Sequence, residues 1–321
     1  MNVSVIILTL NAQADIDNLF KILLCQTVLP REILILDNES TDDTTEVVKR
    51  YQRKYRDHIK LHTIPRHEYN HGGTRRKGVS LCSPNTDIFI MLAGDITITD
   101  NKFIETMISY FDDKDVASVY CRQIAHDYAD PIEKHLRSFN YPNNEILRSK
   151  DSIEKSLGIK NFMNSDVAQA VRMSHYNKVG GYDENILTAE DVFLTGKFIL
   201  KGGYKTIYTS KTFVFHTHNT KLLHTFRKYF DISASYKTQK WLYPYLNVSS
   251  SGINYVKDLM SYLIINKKYI WIPYAVVLTF LKFFGFKLGS MYNYLPKWLV
   301  LMITQPYPCN KSFWERYYSG K

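Results

Sequence analysis

Short apolar runs, each stopped by polar or turn residues, set the plan of the chain. Val3 to Leu8 (VSVIIL), Glu32 to Leu36 (EILIL) and Ile88 to Ala93 (IFIMLA) are of this kind. Runs this short read as strands buried on both faces, as a parallel sheet demands. Ile59 to Thr63 adds a further strand. Between them, 15–24 reads as a helix, and Ser40 or Thr41 can cap another that runs through Tyr55 with acids in its first turn. The order β-α-β-α-β predicts an α/β fold with a mostly parallel, doubly wound sheet. A helix over 101–111, a strand over 116–120 and an apolar helix over 192–200 follow. The run Thr212 to Asn219 (TFVFHTHN) is a strand ending in His216 and His218. Residues 121–165, polar and broken by Pro131 and Pro142, read as an active-site loop or acceptor-side insert.

The chemistry gathers where these runs stop. Asp95 follows the Ile88–Ala93 run after a single glycine, at the carboxyl end where open α/β sheets bind ligands. It is either a metal ligand or a turn-capping acid. No GxGxxG follows the first strand, so a dehydrogenase-type dinucleotide site is excluded. Asp37, at the end of the second strand, either accepts from a pyrimidine N–H or ribose hydroxyl, or closes an Asx-turn. In HGGTRRKG (71–78), the Gly-Gly pair allows close backbone approach to a ligand, and Arg75 offers a cation for a diphosphate. Glu190 and Asp191 open the 192–200 helix, where acids complement the helix dipole or one serves as a general base. His216 and His218 alternate, so strand periodicity sends them to opposite faces with one toward the site.

Charge changes the picture at the carboxyl end. From Lys221 onward there are fourteen Lys and Arg against three acids, so the last third carries +11 and residues 1–220 carry −1 of the net +10. Tyr269 to Leu281 is an uncharged run of thirteen, short of the ~20 residues a spanning helix needs. Beyond it, Lys282, Lys287 and Lys297 recur among Phe283, Phe284, Phe286, Tyr292, Tyr294 and Trp298. That interleaving suits helices lying in an anionic membrane interface, or else a helical bundle packed on the main domain or in a homodimer. No nucleic-acid motif accompanies the basic tail, so nucleic acid is not expected as a partner. Four scattered cysteines with no CxxC pair fit a reducing compartment. The chain enters an apolar strand at once, so no signal peptide is expected. A domain division follows: 1–235 catalytic, 236–321 a helical, membrane-associating region.

Taken together and in order, VSVIILTLNA, LILDNESTDDT, HGGTRRKG, the strand ending in Asp95, AEDVFLTGKFILKGGYK and VFHTHN resemble the family 2 glycosyltransferases. More narrowly, HGGTR with a terminal HxHN is similar to bacterial rhamnosyltransferases that build polysaccharide. The resemblance covers roughly 1–235. It implies the GT-A fold, a divalent metal (Mg2+ or Mn2+), a nucleotide-sugar donor and inversion at the anomeric carbon. By position, it gives Thr9, Asn11 and Asp37 to the nucleoside pocket, Arg75 to the donor, Asp95 to the metal, and Asp191 to the base with Glu190 beside it. It gives His216 to the metal as well. The family's metal motif usually pairs two acids around one residue. Here Ala93 stands in the first acid's place, so Asp95 needs His216 and the donor diphosphate to complete the site. The expected function is transfer of a sugar, with dTDP-L-rhamnose the favoured donor, to a lipid-linked glycan at the inner face of the cell membrane. A UDP-hexose or UDP-N-acetylhexosamine donor is the alternative, and a non-catalytic membrane-bound nucleotide-binding protein is a third reading.

Overall fold

The computed structural model describes residues 1–155, 158–218, 221–246 and 249–320. Strands β1 (Val3–Thr9), β2 (Glu32–Asp37), β3 (Ile59–Thr63) and β4 (Ile88–Ala93) alternate with helices α1 (Gln13–Leu23), α2 (Thr44–Lys54) and α3 (His71–Ser80). Next come α4 (Phe103–Ser109), β5 (Val116–Ile124), α5 (Pro131–Asn140), β6 (Ile146–Arg148), α6 (Lys150–Lys155), β7 (Ala168–Arg172), α7 (Met173–Lys178), α8 (Glu190–Gly196) and β8 (Lys205–Phe215). Helices α9 (Leu222–Thr238), α10 (Ser249–Ile265), α11 (Ile272–Ser290), α12 (Lys297–Ile303) and α13 (Pro308–Ser319) complete the chain.

The strands form one sheet in the order β3-β2-β1-β4-β7-β5-β8-β6. The first four are parallel, as the apolar runs require. Strand β7 is antiparallel to both β4 and β5, β8 is parallel to β5, and β6 is antiparallel to β8. Both faces are covered. In β4, Ile88, Ile90 and Leu92 enter one core while Phe89 and Met91 enter the other, and β2 divides in the same way. Each such buried side chain contributes about 2 kcal/mol by leaving water.

Four sequence expectations are revised. Residues 121–165 are more ordered than a loop. Strand β5 runs on to Ile124, and α5 is capped by Asp130, whose carboxylate accepts from the Ile132 and Glu133 amides at 2.8 Å. That segment escaped notice because its buried positions include Glu133, His135 and Arg148, which do not read as core. Helix α2 begins at Thr44, later than a Ser40 or Thr41 cap would place it, because those two side chains serve the β1 and β2 loops instead. Helix α8 ends at Gly196 and passes into a wider π-helical turn, Lys197–Lys201. Finally, the Tyr269–Leu281 run is not isolated. It opens a helical stretch, Tyr269–Ser290, long and apolar enough to cross a membrane by length and composition, with mean hydropathy 1.5.

One side of that stretch packs on α9. A Cβ at Gly285 or Gly289 would lie 2.5 Å from the Phe226 carbonyl or 2.2 Å from that of Phe230, so glycine permits the close approach of the two helices. A division after residue 235 falls inside α9, so helix packing joins the two parts of the chain. Farther on, buried Asp231 accepts from Thr304 Oγ1 (2.6 Å), the Gln305 amide (2.9 Å) and Asn310 Nδ2 (2.8 Å). These bonds tie α9 to the segment joining α12 and α13 and to α13 itself.

Candidate active site

Asp95 sits just past β4, and the end of β8 is fastened beside it. Thr97 and Phe215 exchange backbone hydrogen bonds at 3.0 and 2.9 Å, and the His216 amide donates to the Ile124 carbonyl at 2.9 Å. These bonds put His216 Nε2 3.6 Å from Asp95 Oδ1. His218 joins them, and one ligand atom from each of Asp95, His216 and His218 lies within 4.8 Å of the others. Strand alternation does not separate the two imidazoles, because β8 ends at Phe215; their ring centroids lie 4.2 Å apart. Asn219, the last residue of the HTHN stretch, lies outside the described residues.

The electrostatics suit a cation. Burial pushes the Asp95 carboxyl up, but the imidazoles of His216 and His218 outweigh it and hold the group below its ordinary value. Burial, with help from His216, depresses His218 to about 4, so its imidazole is neutral and keeps a lone pair. His216 Nδ1 lies 3.1 Å from Gln123 Oε1. That oxygen cannot donate, so Nδ1 carries the proton and Nε2 is left to bind a metal. The side-chain nitrogen of Gln123 is in turn held by Ser165 Oγ at 2.7 Å, and its oxygen also accepts from Arg137. One carboxylate and two oriented imidazoles are a set that fits a divalent first-row cation.

The second cluster surrounds Arg75. Its Nε is 2.7 Å from Asp166 Oδ2, and one terminal nitrogen is 2.9 Å from Glu190 Oε1. His71 Nδ1 lies 3.8 Å from the same Glu190 oxygen, and Tyr182 donates to Asp166 Oδ1 at 2.8 Å. Arg75 therefore bridges two buried carboxylates, where the sequence suggested a cation free for a diphosphate. The Gly-Gly pair also has a different task from the one expected. Both glycines lie inside α3, and a Cβ at Gly72 would come within 1.8 Å of the Asp183 carbonyl, so the close approach there is to the chain itself.

Asp191 is differently placed from its neighbour. Glu190 is committed to Arg75, whereas one oxygen of partly exposed Asp191 accepts the Val192 amide at 2.8 Å and no cation pairs with it among the described residues. Burial first, then the charges of Glu190 and Asp166, raise Asp191 well above the ordinary carboxylate value. Ala189 precedes the pair in the left-handed region, φ +68°, a strained conformation for alanine that aims the start of α8. The two clusters are neighbours, since the Ala93 amide donates to the carbonyl of Val167 at 3.0 Å, joining the chain before Asp95 to the chain after Asp166.

The remaining predicted residues line the ends of β1 and β2. Asp37 is fully buried, and its oxygens accept from Thr9 Oγ1 (2.9 Å), Ser40 Oγ (2.6 Å) and the Ser40 amide (2.9 Å). These bonds hold the loop after β2, with the Ser40 amide three residues on from Asp37 as one of the donors. Asn11, at φ +53°, accepts from the Thr41 amide at 2.8 Å and locks the two loops together. Nearby, Asn38 Oδ1 is shielded from solvent and has no hydrogen-bond partner among the described residues, an acceptor that sequence reasoning passed over. Asp166, His71 and Gln123 were also not assigned roles, and His218 was weighed only as the alternative to His216. Of these, His218 and His71 were in the quoted motifs, whereas Gln123 and Asp166 lie within or just past the 121–165 stretch, where the sequence predicted no strand to place them.

Comparison with known proteins decides the family. The model of glycosyl transferase family 2 matches residues 4–180. The chain belongs to that family. It is 32% identical to the O-antigen chain rhamnosyltransferase RfbN of Salmonella typhimurium, over all of this chain and 99% of the relative. It is 33% identical to the O-antigen chain rhamnosyltransferase WbaN of Salmonella anatum, over 92% and 90% of the two chains. Among solved structures, it resembles a mannosyltransferase of Pyrobaculum calidifontis in complex with GDP-Man and Mn2+. That match has a TM-score of 0.61 at 14% identity and covers 91% of this chain and 87% of the other. It also resembles residues 1–349 of TarS from S. aureus, with a TM-score of 0.50 at 13% identity, covering 92% and 91%. The fold of this glycosyltransferase is thus GT-A-like, with a mixed, largely parallel sheet and added carboxyl-terminal helices.

Proposed function

We propose that this family 2 glycosyltransferase moves L-rhamnose from dTDP-L-rhamnose to a lipid-linked saccharide in the building of a cell-surface polysaccharide. The observation that carries the reading is the 32% identity to an O-antigen chain rhamnosyltransferase over the full length of both chains, tail included. Asp95, His216 and His218 are the residues that would hold the cation, and two imidazoles beside one carboxylate favour Mn2+ over Mg2+. A divalent metal there supplies Lewis-acid stabilisation of the departing diphosphate. Thr9, Asn11 and Asp37 shape the nucleoside end of the crevice.

Asp191 takes the proton from the acceptor hydroxyl. Its raised affinity for protons brings it closer to the range where a base works at neutral pH. The acceptor oxygen then attacks the anomeric carbon from the face opposite the diphosphate, inverting that centre. Arg75 binds Glu190 and so keeps the adjoining acid out of the proton transfer. The tail fits a peripheral site on the inner face of the membrane. Val276, Val277, Phe280, Phe283 and Phe284 are exposed on α11, and the tail is strongly basic.

The test is a donor screen of the full chain with dTDP-rhamnose, UDP-hexoses and UDP-N-acetylhexosamines, with and without EDTA. Turnover with dTDP-rhamnose that EDTA abolishes is expected. Turnover with UDP donors alone would overturn the rhamnose reading, and no turnover with any donor would favour a nucleotide-binding protein without catalysis.

A further inference from the structure

A cavity of about 220 Å³ lies between the end of β5 and α5. Its polar wall is made by Arg122, Gln123, Asp127, Lys134, Arg137 and Ser138. Its volume is about seven waters' share of the liquid, room for an anion of diphosphate size. Three of the six wall residues are cations and one is an acid. Arg137 is already engaged, with Nε and one terminal nitrogen each 2.8 Å from Glu133 Oε1. Lys134 spends one of its three N–H donors on the Asp127 carbonyl at 2.6 Å. Among the described residues the Arg122 side chain has no hydrogen bond or ion pair, and its Nε is shielded from solvent with no acceptor. A shielded guanidinium nitrogen without an acceptor is costly, and a bound oxyanion would satisfy it.

The cavity's position says which anion. Gln123 forms part of its wall and its side chain also holds His216, so the cavity and the candidate metal centre share that residue. Helix α5 brings Lys134 and Arg137 to the cavity. Its Ile132 is buried among Leu259 and Leu263 of α10 and Ala275 and Leu278 of α11. The cavity is therefore separated from the apolar α10–α11 hairpin by about one helix diameter, roughly 10 Å. An anionic group carried on an apolar chain would reach the cavity while its chain lay along the exposed face of α11.

We propose that Arg122 and Lys134 bind the phosphate or diphosphate that joins the acceptor saccharide to its lipid. This rests on the lipid-linked acceptor read above. Guanidinium and ammonium donors on one wall match the spread of oxygens on a phosphate group. Bound there, the acceptor is anchored at its reducing end, beside the residues that support the metal ligands.

The experiment compares two acceptors of the same saccharide, one carried on a lipid diphosphate and one on a phosphate-free alkyl glycoside. The wild type is expected to show a lower KM for the first, and R122Q to shrink the ratio of the two KM values about tenfold. The conservative R122K should keep part of the ratio. Calorimetric titration of inorganic pyrophosphate in EDTA should show binding by the wild type that R122Q and K134Q both weaken. A ratio and a pyrophosphate affinity unchanged in R122Q would overturn the anion site alone. Equal KM values for the two acceptors in the wild type would overturn the lipid-linked reading with it. Flotation of the full chain with phosphatidylglycerol vesicles should be the same for wild type and R122Q. Loss of flotation in R122Q would assign the cavity to a membrane headgroup and overturn the acceptor assignment.

Discussion

Arg75 and Glu190 meet at 2.9 Å, and the next residue along the chain is Asp191. The same guanidinium holds Asp166 at 2.7 Å, so one cation sets the spacing of the acids beside the predicted base. Replacing Arg75 with methionine leaves two buried carboxylates without their partner. The expected loss is about 3–5 kcal/mol of folding stability, read by urea denaturation. Arg75→Lys should restore little, since an ammonium cannot present a planar fork to two carboxylates at once.

Asp191→Asn should lower turnover by about 10²–10⁴-fold while donor binding stays near normal. The pH profile carries a second signature. The carboxylate form is the active one, so kcat/KM rises with pH. Because the group is raised above its ordinary value, that rise lies above the usual carboxylate range. Glu190 contributes to the raising, so Glu190→Gln should move the rising limb to lower pH. A limb that stays in place in Glu190→Gln would separate the profile from Asp191.

Gln123 fixes the proton of His216 on Nδ1. Gln123→Ala should weaken Mn2+ binding about 10–100-fold, measured by calorimetry on the enzyme without substrate. Its effect on folding should be smaller than that of Arg75→Met, because Gln123 is neutral. Mn2+ affinity equal to wild type would show that His216 keeps its tautomer without this partner.

Asp231 gives a test of stability far from the crevice. Burial raises its carboxyl to about 7 in spite of three donors. A folded value above the unfolded one means that the folded state keeps the proton longer. The stabilisation is full below about pH 4 and is lost as pH rises through about 7. Urea denaturation at pH 5 and pH 8 should show the wild type less stable at pH 8, by on the order of 2–3 kcal/mol. Asp231→Asn should flatten that difference.

Much of this architecture was legible because buried parallel strands announce themselves as apolar runs. The expected Ile59–Thr63 strand coincides with β3, and β1, β2 and β4 begin where expected. The acids at the ends of β2 and β4 were equally plain. What stayed hidden depends on contacts remote in the chain. Arg75 pairs with partners 91 and 115 positions away, and nothing local to HGGTR betrays that its charge is taken. The two histidines were misjudged for a different reason. Period-two alternation holds only within a strand, and β8 stops one residue before His216. Helix α5 was missed because its inward positions hold an acid and a histidine that are satisfied only in the folded chain.

The reversed strand β7 has a consequence of its own. A parallel strand offers the functional edge of a sheet only the residues that come after it. By running the other way between β4 and β5, β7 offers that edge the residues that come before it, and so delivers Asp166 beside the segment that carries Asp95. The edge is thus supplied by arrivals as well as departures. An insertion of one residue between Asp166 and Ala168 would leave β7 paired and the core intact, yet would carry the carboxylate away from Arg75.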